Sequence, residues 1–155
     1  MIKILFSLIA VPLVAFGFIR SYNSDIQDVL ESGAKLEKLA DGFSFTEGPT
    51  SDSKGNIFFT DQPNDRIMEW SISGELSTFL QPCGRSNGLS FDNKGVLWAC
   101  ADEKNEFWQI DRSKKVTPLP LKYASNLLNG PNDLWIDDEG GTFFTDPYYQ
   151  RPWWN

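Results

Sequence analysis

Glu47, Asn87 and Asn132 occupy the same place in three copies of one short pattern. Each stands five residues before the Asp and eight before the Gly of an Asp-x-x-Gly tetrapeptide: Asp52-Ser53-Lys54-Gly55, Asp92-Asn93-Lys94-Gly95 and Asp137-Asp138-Glu139-Gly140. A carboxylate and two amides in phase supply side-chain oxygens, the donors that a hard cation such as Ca²⁺ takes about six to eight at a time. Zinc prefers thiolate and imidazole, and the chain has two Cys and no His. The absence of His also excludes a Ser-His-Asp or Cys-His catalytic unit within these residues, so chemistry here rests on oxygen ligands and carboxylates. The competing reading is structural: Asn commonly caps strand ends and satisfies backbone groups in turns. Both readings stand for Asn87. For Glu47 the structural reading is weaker, because a carboxylate aimed at an enclosed axis is costly without a cation or donors nearby.

These residues need a scaffold that brings equivalent positions together. The copies lie 40 and 45 residues apart, a period typical of stacked or radial repeats, and in a radial repeat equivalent positions converge on one axis. The chain is rich in Phe (12), Trp (6) and Tyr (4), placed in short alternating runs that suit strands, so the expected class is all-β. In the first unit residues 48–51 read as an inner strand, the Asp52 tetrapeptide as a hairpin turn, and residues 57–60, 66–71 and 76–80 as three further strands. Pro63-Asn64-Asp65 is read as the turn between the second and third of these. The second unit repeats the order with strands over 88–91, 96–100, 106–111 and 116–121, and the third reaches two strands, over 133–136 and 142–145. A further outer strand is expected over 36–39.

Four antiparallel strands in a unit of about 40 residues is the make-up of a propeller blade. The expectation is a β-propeller truncated to about two and a half blades, over 47–82, 87–122 and 131–155, in a domain spanning 35–155. Propellers close with roughly four to eight blades, so the chain reads as the N-terminal half of a longer protein whose third blade is cut at Asn155, inactive and aggregation-prone by itself through its open edges. In this geometry Glu47, Asn87 and Asn132 precede the inner strands on one face, and the segments 61–63, 101–103 and 146–154 return to that face. Tyr148, Tyr149 and Trp153 could stack on a sugar ring there or pack into the loop. Cys83 and Cys100 project to the same side in this register, which leaves open a disulfide or two small apolar residues.

The net charge of −7 and the lack of a long Lys/Arg tract argue against a nucleic-acid partner. Met1-Ile2-Lys3 and the apolar run over 4–19 match the charged start and apolar middle of a secretory signal, so export to a periplasmic or extracellular space is expected. An uncleaved anchor over 1–22 would be the one membrane attachment. Residues 23–34 read as a linker with a short helical turn over 24–32.

The motifs Glu47-Gly48-Pro49, Ser86-Asn87-Gly88-Leu89, Leu128-Asn129-Gly130-Pro131-Asn132-Asp133-Leu134 and Phe143-Phe144-Thr145-Asp146-Pro147-Tyr148-Tyr149 resemble the gluconolactonase branch of the SMP-30/gluconolactonase/luciferin-regenerating enzyme family. The resemblance covers roughly residues 36–155. It implies a six-bladed β-propeller whose central divalent metal, usually Ca²⁺, supports hydrolysis of a sugar lactone by polarising its carbonyl for attack by water. By motif, Glu47 resembles the first metal carboxylate, Asn132 the Asn between metal and substrate, and Asp133 a neighbour that binds water or substrate. Asn87 corresponds to a residue at the mouth. The sequence departs from the pattern at Gly130, where some relatives carry a substrate-binding Arg. The family's other metal Asn and its metal Asp, proposed as base, belong to later blades, so the catalytic base is expected beyond Asn155 and no residue of this chain is assigned to that role. The alternative is a non-catalytic propeller that binds carbohydrate or protein and uses its metal structurally.

Overall fold

Residues 33–150 are described in the computed structural model of the chain; the leader, the helical turn over 24–32, Trp153 and Asn155 lie outside them. Two four-stranded antiparallel sheets follow one another. Sheet I is β1 (Thr46–Ser51), β2 (Ile57–Asp61), β3 (Arg66–Trp70) and β4 (Leu76–Leu80); sheet II is β5 (Ser86–Phe91), β6 (Leu97–Ala101), β7 (Glu106–Ile110) and β8 (Val116–Leu119). A small hairpin of β9 (Lys122–Tyr123) and β10 (Asn126–Leu127) leads to a two-stranded sheet III, β11 (Leu134–Ile136) and β12 (Thr142–Phe144). The fold is all-β, built from consecutive antiparallel sheets in the manner of propeller blades. The third blade, expected to run to Asn155, is described only as far as residue 150, and its last described strand is β12.

The three Asp-x-x-Gly turns are built alike. In each, one Asp oxygen accepts from the N–H groups two and four residues on: Lys54 and Asn56 on Asp52 at 2.9 and 3.0 Å, Lys94 and Val96 on Asp92 at 2.9 Å, and Glu139 and Gly141 on Asp137 at 3.0 and 2.6 Å. The side chain thus does locally what a ladder partner would do, which is why Asp opens the turn. Between the second and third strands the chain makes one 3₁₀ turn, Gln62–Asn64 in sheet I and Asp102–Lys104 in sheet II. Each ends on a left-handed residue, Asp65 at φ 51° and Asn105 at φ 58°, residue types that tolerate this conformation. Pro63-Asn64-Asp65 is therefore a turn, as its letters suggest.

Inner strands of neighbouring sheets come very close. A Cβ on Gly48 would lie 2.6 Å from Asn87 O and Gly88 Cα, and one on Gly88 would lie 2.6 Å from Asp133 Oδ1 and 2.7 Å from Asp133 Cα. Only glycine allows that approach. It lets Gly88 N–H donate to Asn132 O at 2.7 Å and sets Thr60 Oγ1 within 3.1 Å of Glu47 O and 3.0 Å of Asn87 O. The ladders shift register between Glu47 and Thr50 and between Ser86 and Leu89, bulges that re-aim the residues at the start of each inner strand.

Apolar side chains fill the two gaps between sheets. Phe58, Ile67, Leu89, Leu97, Ala99 and Ile110 pack between sheets I and II, where the Phe58 ring meets Phe79 and Phe91 edge-on at centroid distances of 5.0 and 5.1 Å. Cys100, Phe107, Leu128 and Phe144 pack between sheets II and III. This division corrects the possible disulfide. Leu97 and Ala99 point to one face of β6 and Cys100 to the other, so Cys83, which joins the first cluster, and Cys100, which joins the second, lie on opposite faces as buried free thiols.

Two other strand expectations are corrected. The last strand of sheet II ends at Leu119 rather than 121, because the chain turns into the β9–β10 hairpin. Residues 36–39 form no strand. Residues 33–41 belong to a separate compact unit from residues 42–150; there Leu36 and Leu39 are exposed, spaced three apart rather than alternating, and Lys38 pairs with Asp41 at 2.9 Å in solvent.

Candidate functional site

The starts of the inner strands and the returning loops surround one cleft of about 370 Å³. Glu47, Asn87 and Asn132 all line it, from the starts of β1 and β5 and from two residues ahead of β11. Gln62 and Asp102 enter from the 3₁₀ turns after β2 and β6, and Tyr149 from the loop after β12. The phase of the repeat thus becomes proximity through the close packing at Gly48 and Gly88.

The lining side chains differ in exposure. Asn87 and Asp102 are buried, Glu47 and Asn132 are half-buried, and Tyr149 is exposed. Asp133 and Tyr148, which the resemblance and the loop placed near the mouth, do not line the cleft. Asp133 Oδ1 instead accepts from Leu134 N–H at 2.9 Å beside Gly88, and Tyr148 is 67 % exposed. The catalytic base expected beyond Asn155 lies outside the described residues.

Asp102 is the charged lining residue that sequence reasoning did not single out, and Phe45, Gln62 and Gln150 line the cleft beside it. The signal was present: Gln62 follows Glu47 by fifteen residues (62 − 47) and Asp102 follows Asn87 by fifteen (102 − 87). This second polar register runs one loop later than the inner-strand register and is easily passed over beside it.

A carboxylate also holds the chain just before each inner strand. Buried Asp61, the last residue of β2, accepts through Oδ1 from the N–H groups of Ser44 (2.9 Å) and Phe45 (3.2 Å). Its Oδ2 accepts from Asn64 Nδ2 (2.8 Å), Arg66 Nε (2.9 Å) and an Arg66 terminal nitrogen (2.7 Å). Burial alone would raise the Asp61 pKa, but the bonds from Asn64, Arg66, Phe45 and Ser44 outweigh it and hold the group down at about 2.

The donors facing the cleft fit a hard divalent cation and not zinc. They include the oxygens of Glu47 and Asp102 and the amides of Gln62, Asn87 and Asn132, and among the described residues no Lys or Arg lines the cleft. Sulfur takes no part: burial pushes the Cys83 thiol up to about 12 and the Cys100 thiol well above its ordinary value. Among the described residues no three or more Asp, Glu, Cys or His side chains gather as a metal cluster, so a cation held here would lean on amide oxygens and water as well as on carboxylate.

Comparison with known proteins agrees with the all-β, propeller-like fold. Over 148 residues the chain is 25% identical to a gluconolactonase of Zymomonas mobilis subsp. mobilis, covering 86% of the chain and 42% of that protein. Among solved structures, a Xanthomonas campestris gluconolactonase described as important in glucose secondary metabolic pathways superposes with a TM-score of 0.67 at 27% identity, covering 70% of the chain and 37% of its own. A streptogramin B lyase at 22% identity and a TM-score of 0.55, over 65% of the chain and 34% of its own, shares the fold alone. The chain thus spans less than half the length of these relatives. Residues 45–152 match the SMP-30/Gluconolactonase/LRE-like region, which contains both inner-strand bulges, all three turns and the whole cleft lining; the chain belongs to that family.

Proposed function

We propose that this chain contributes one side of the active site of a metal-dependent hydrolase that opens a sugar lactone, within a six-bladed propeller. The observation that carries the reading is the convergence of Glu47, Asn87, Asp102 and Asn132 on one cleft, in a family whose relatives include gluconolactonases. A divalent cation, Ca²⁺ by its donor preference, would be held by Glu47 and Asn132 with Asp102 as a second carboxylate, and would supply electrophilic activation of the lactone carbonyl. The chain's own residues then orient the substrate. The amides of Asn87 and Asn132 can donate to lactone or hydroxyl oxygens, and the exposed Tyr149 ring offers a face for a sugar. Buried Asp102 keeps a carboxylate near any water entering from the mouth. The remaining donors and the base would come from blades beyond Asn155. The N-terminal segment over 1–22 would direct export to the periplasm or beyond the cell.

The test is pH-stat hydrolysis of glucono-1,5-lactone by the protein expressed from its whole reading frame. The expected result is a rate that chelation lowers roughly a hundredfold and Ca²⁺ restores, and that Glu47→Gln lowers comparably. No lactone hydrolysis would overturn the reading, and a rate indifferent to chelator would overturn its metal.

A further inference from the structure

The structure assigns Asp61 and Asp146 as positioning residues that fix where Glu47 and Asn132 stand. The two acids occupy one repeat position, at the ends of Phe58-Phe59-Thr60-Asp61 and Phe143-Phe144-Thr145-Asp146. Asp61 takes the N–H groups of Ser44 and Phe45, three and two residues before Glu47. Asp146 takes those of Asn129 at 3.0 Å and Gly130 at 2.8 Å, three and two residues before Asn132. Asn129 Nδ2 also donates to Asp146 Oδ2 at 3.2 Å.

Sheet II shows that the bond itself is what recurs. Its corresponding residue is Ala101, which cannot accept, and Asp65 of the preceding sheet takes over: its Oδ1 accepts from Cys83 N–H at 3.0 Å and Arg85 N–H at 2.7 Å. Arg85 again lies two residues before the cleft residue, Asn87. In all three copies, then, an N–H two residues ahead of the cleft side chain rests on a carboxylate.

The clamp matters because regular pairing does not fix these residues well. Glu47 sits at the edge of a bulge, and Asn132 precedes β11 altogether, held by its own N–H on Thr145 O and by Gly88 N–H on its carbonyl. With two peptide units between the clamped N–H and the cleft side chain, a rotation of the entry segment would move that side chain within the cleft. Ion-ligating groups tolerate little such error.

This assignment rests on the cation reading above, and the experiment separates the two. Tb³⁺, a luminescent stand-in for Ca²⁺, is titrated into the protein expressed from its whole reading frame as wild type, Asp61→Asn, Asp146→Asn, Glu47→Gln and Asp61→Asn/Glu47→Gln, at a temperature where circular dichroism shows each folded. We expect roughly tenfold weaker binding in each clamp variant and no further loss when Asp61→Asn is added to Glu47→Gln. Folded clamp variants that bind Tb³⁺ like wild type would overturn the assignment. Wild type that binds no Tb³⁺, or Glu47→Gln with unchanged affinity, would overturn the cation reading instead. The clamp is then read by hydrogen exchange. Phe45 and Gly130 amides that exchange at least about tenfold faster in their respective variants, relative to β6 amides, support it, and unchanged protection overturns it.

Discussion

Sheets I and II share strand order, Asp-x-x-Gly turn, 3₁₀ turn and inner-strand bulge, yet their inner strands are held by different forces. The first four residues of β5 are all buried, and none of β1 is. Among the described residues, sheet II has a packed cluster on each face and sheet I shares one of them. Apolar burial and backbone packing on both sides therefore fix β5, while the entry to β1 depends on the charged Asp61–Arg66–Asn64 network.

The contact between the two inner strands is the most direct place to break this arrangement. Gly48→Ala would force a Cβ to 2.6–2.7 Å from three backbone atoms of residues 87–89 at a φ of +52°, so it should cost about 4 kcal/mol in urea unfolding. Gly140→Ala shares the positive φ but has nothing within 4 Å, and should cost only about 1 kcal/mol. Equal losses would mean that conformation, not close approach, is what glycine provides at Gly48.

Next in size is the cluster that sheet I shares with sheet II. Phe58→Ala removes a buried ring from between Phe79 and Phe91 and should cost about 3 kcal/mol by the same measurement. Because Phe58 serves the cluster that sheet I shares with sheet II, the loss should expose β1–β4 amides to exchange before β6 and β7. Uniform exchange across both sheets would contradict the difference in how they are held.

The ionic network of sheet I predicts an acid limb. The folded pKa of Asp61, about 2, lies below its ordinary value of 3.8, so its contribution is complete above about pH 4 and is lost as pH falls toward 2. Asp61→Asn should lower stability at pH 7 by about 2 kcal/mol and shrink the difference from wild type as pH drops through that window. Asp52 and Asp111 are also held below their ordinary values, so the acid limb of the variant should be shallower rather than absent. A difference that stayed constant from pH 7 to pH 2 would rule out the charge as the source.

Much of this was legible in the sequence. The turns and most strands could be placed because Asp-x-x-Gly and the Phe-rich alternation carry their own local physics. The convergence of Glu47, Asn87 and Asn132 followed from phase. What escaped depended on contacts between repeats. Ala101 looks like an unremarkable strand residue until Asp65 is seen serving in its place. The opposed directions of Cys83 and Cys100 follow from cluster membership, because Cys83 lies outside any strand and has no alternation to read. Leu36 and Leu39 read as a strand only while no partner strand is demanded of them.

The smallest effect sharpens the comparison at the cleft itself, where the two sheets place Gln62 and Asp102 at equivalent positions. If the cleft holds a cation, a carboxylate here adds charge that an amide cannot, so Asp102→Asn should weaken Tb³⁺ binding about tenfold, or about 1.4 kcal/mol. Gln62→Ala removes a half-buried amide from the same rim and should shift affinity by no more than about twofold. Gln62→Glu is the sharper arm, since it gives sheet I the acid that sheet II already has: affinity should rise if both turns reach the ion. A rise with Gln62→Glu and no loss with Asp102→Asn would move the cation toward sheet I and leave Asp102 a buried structural acid.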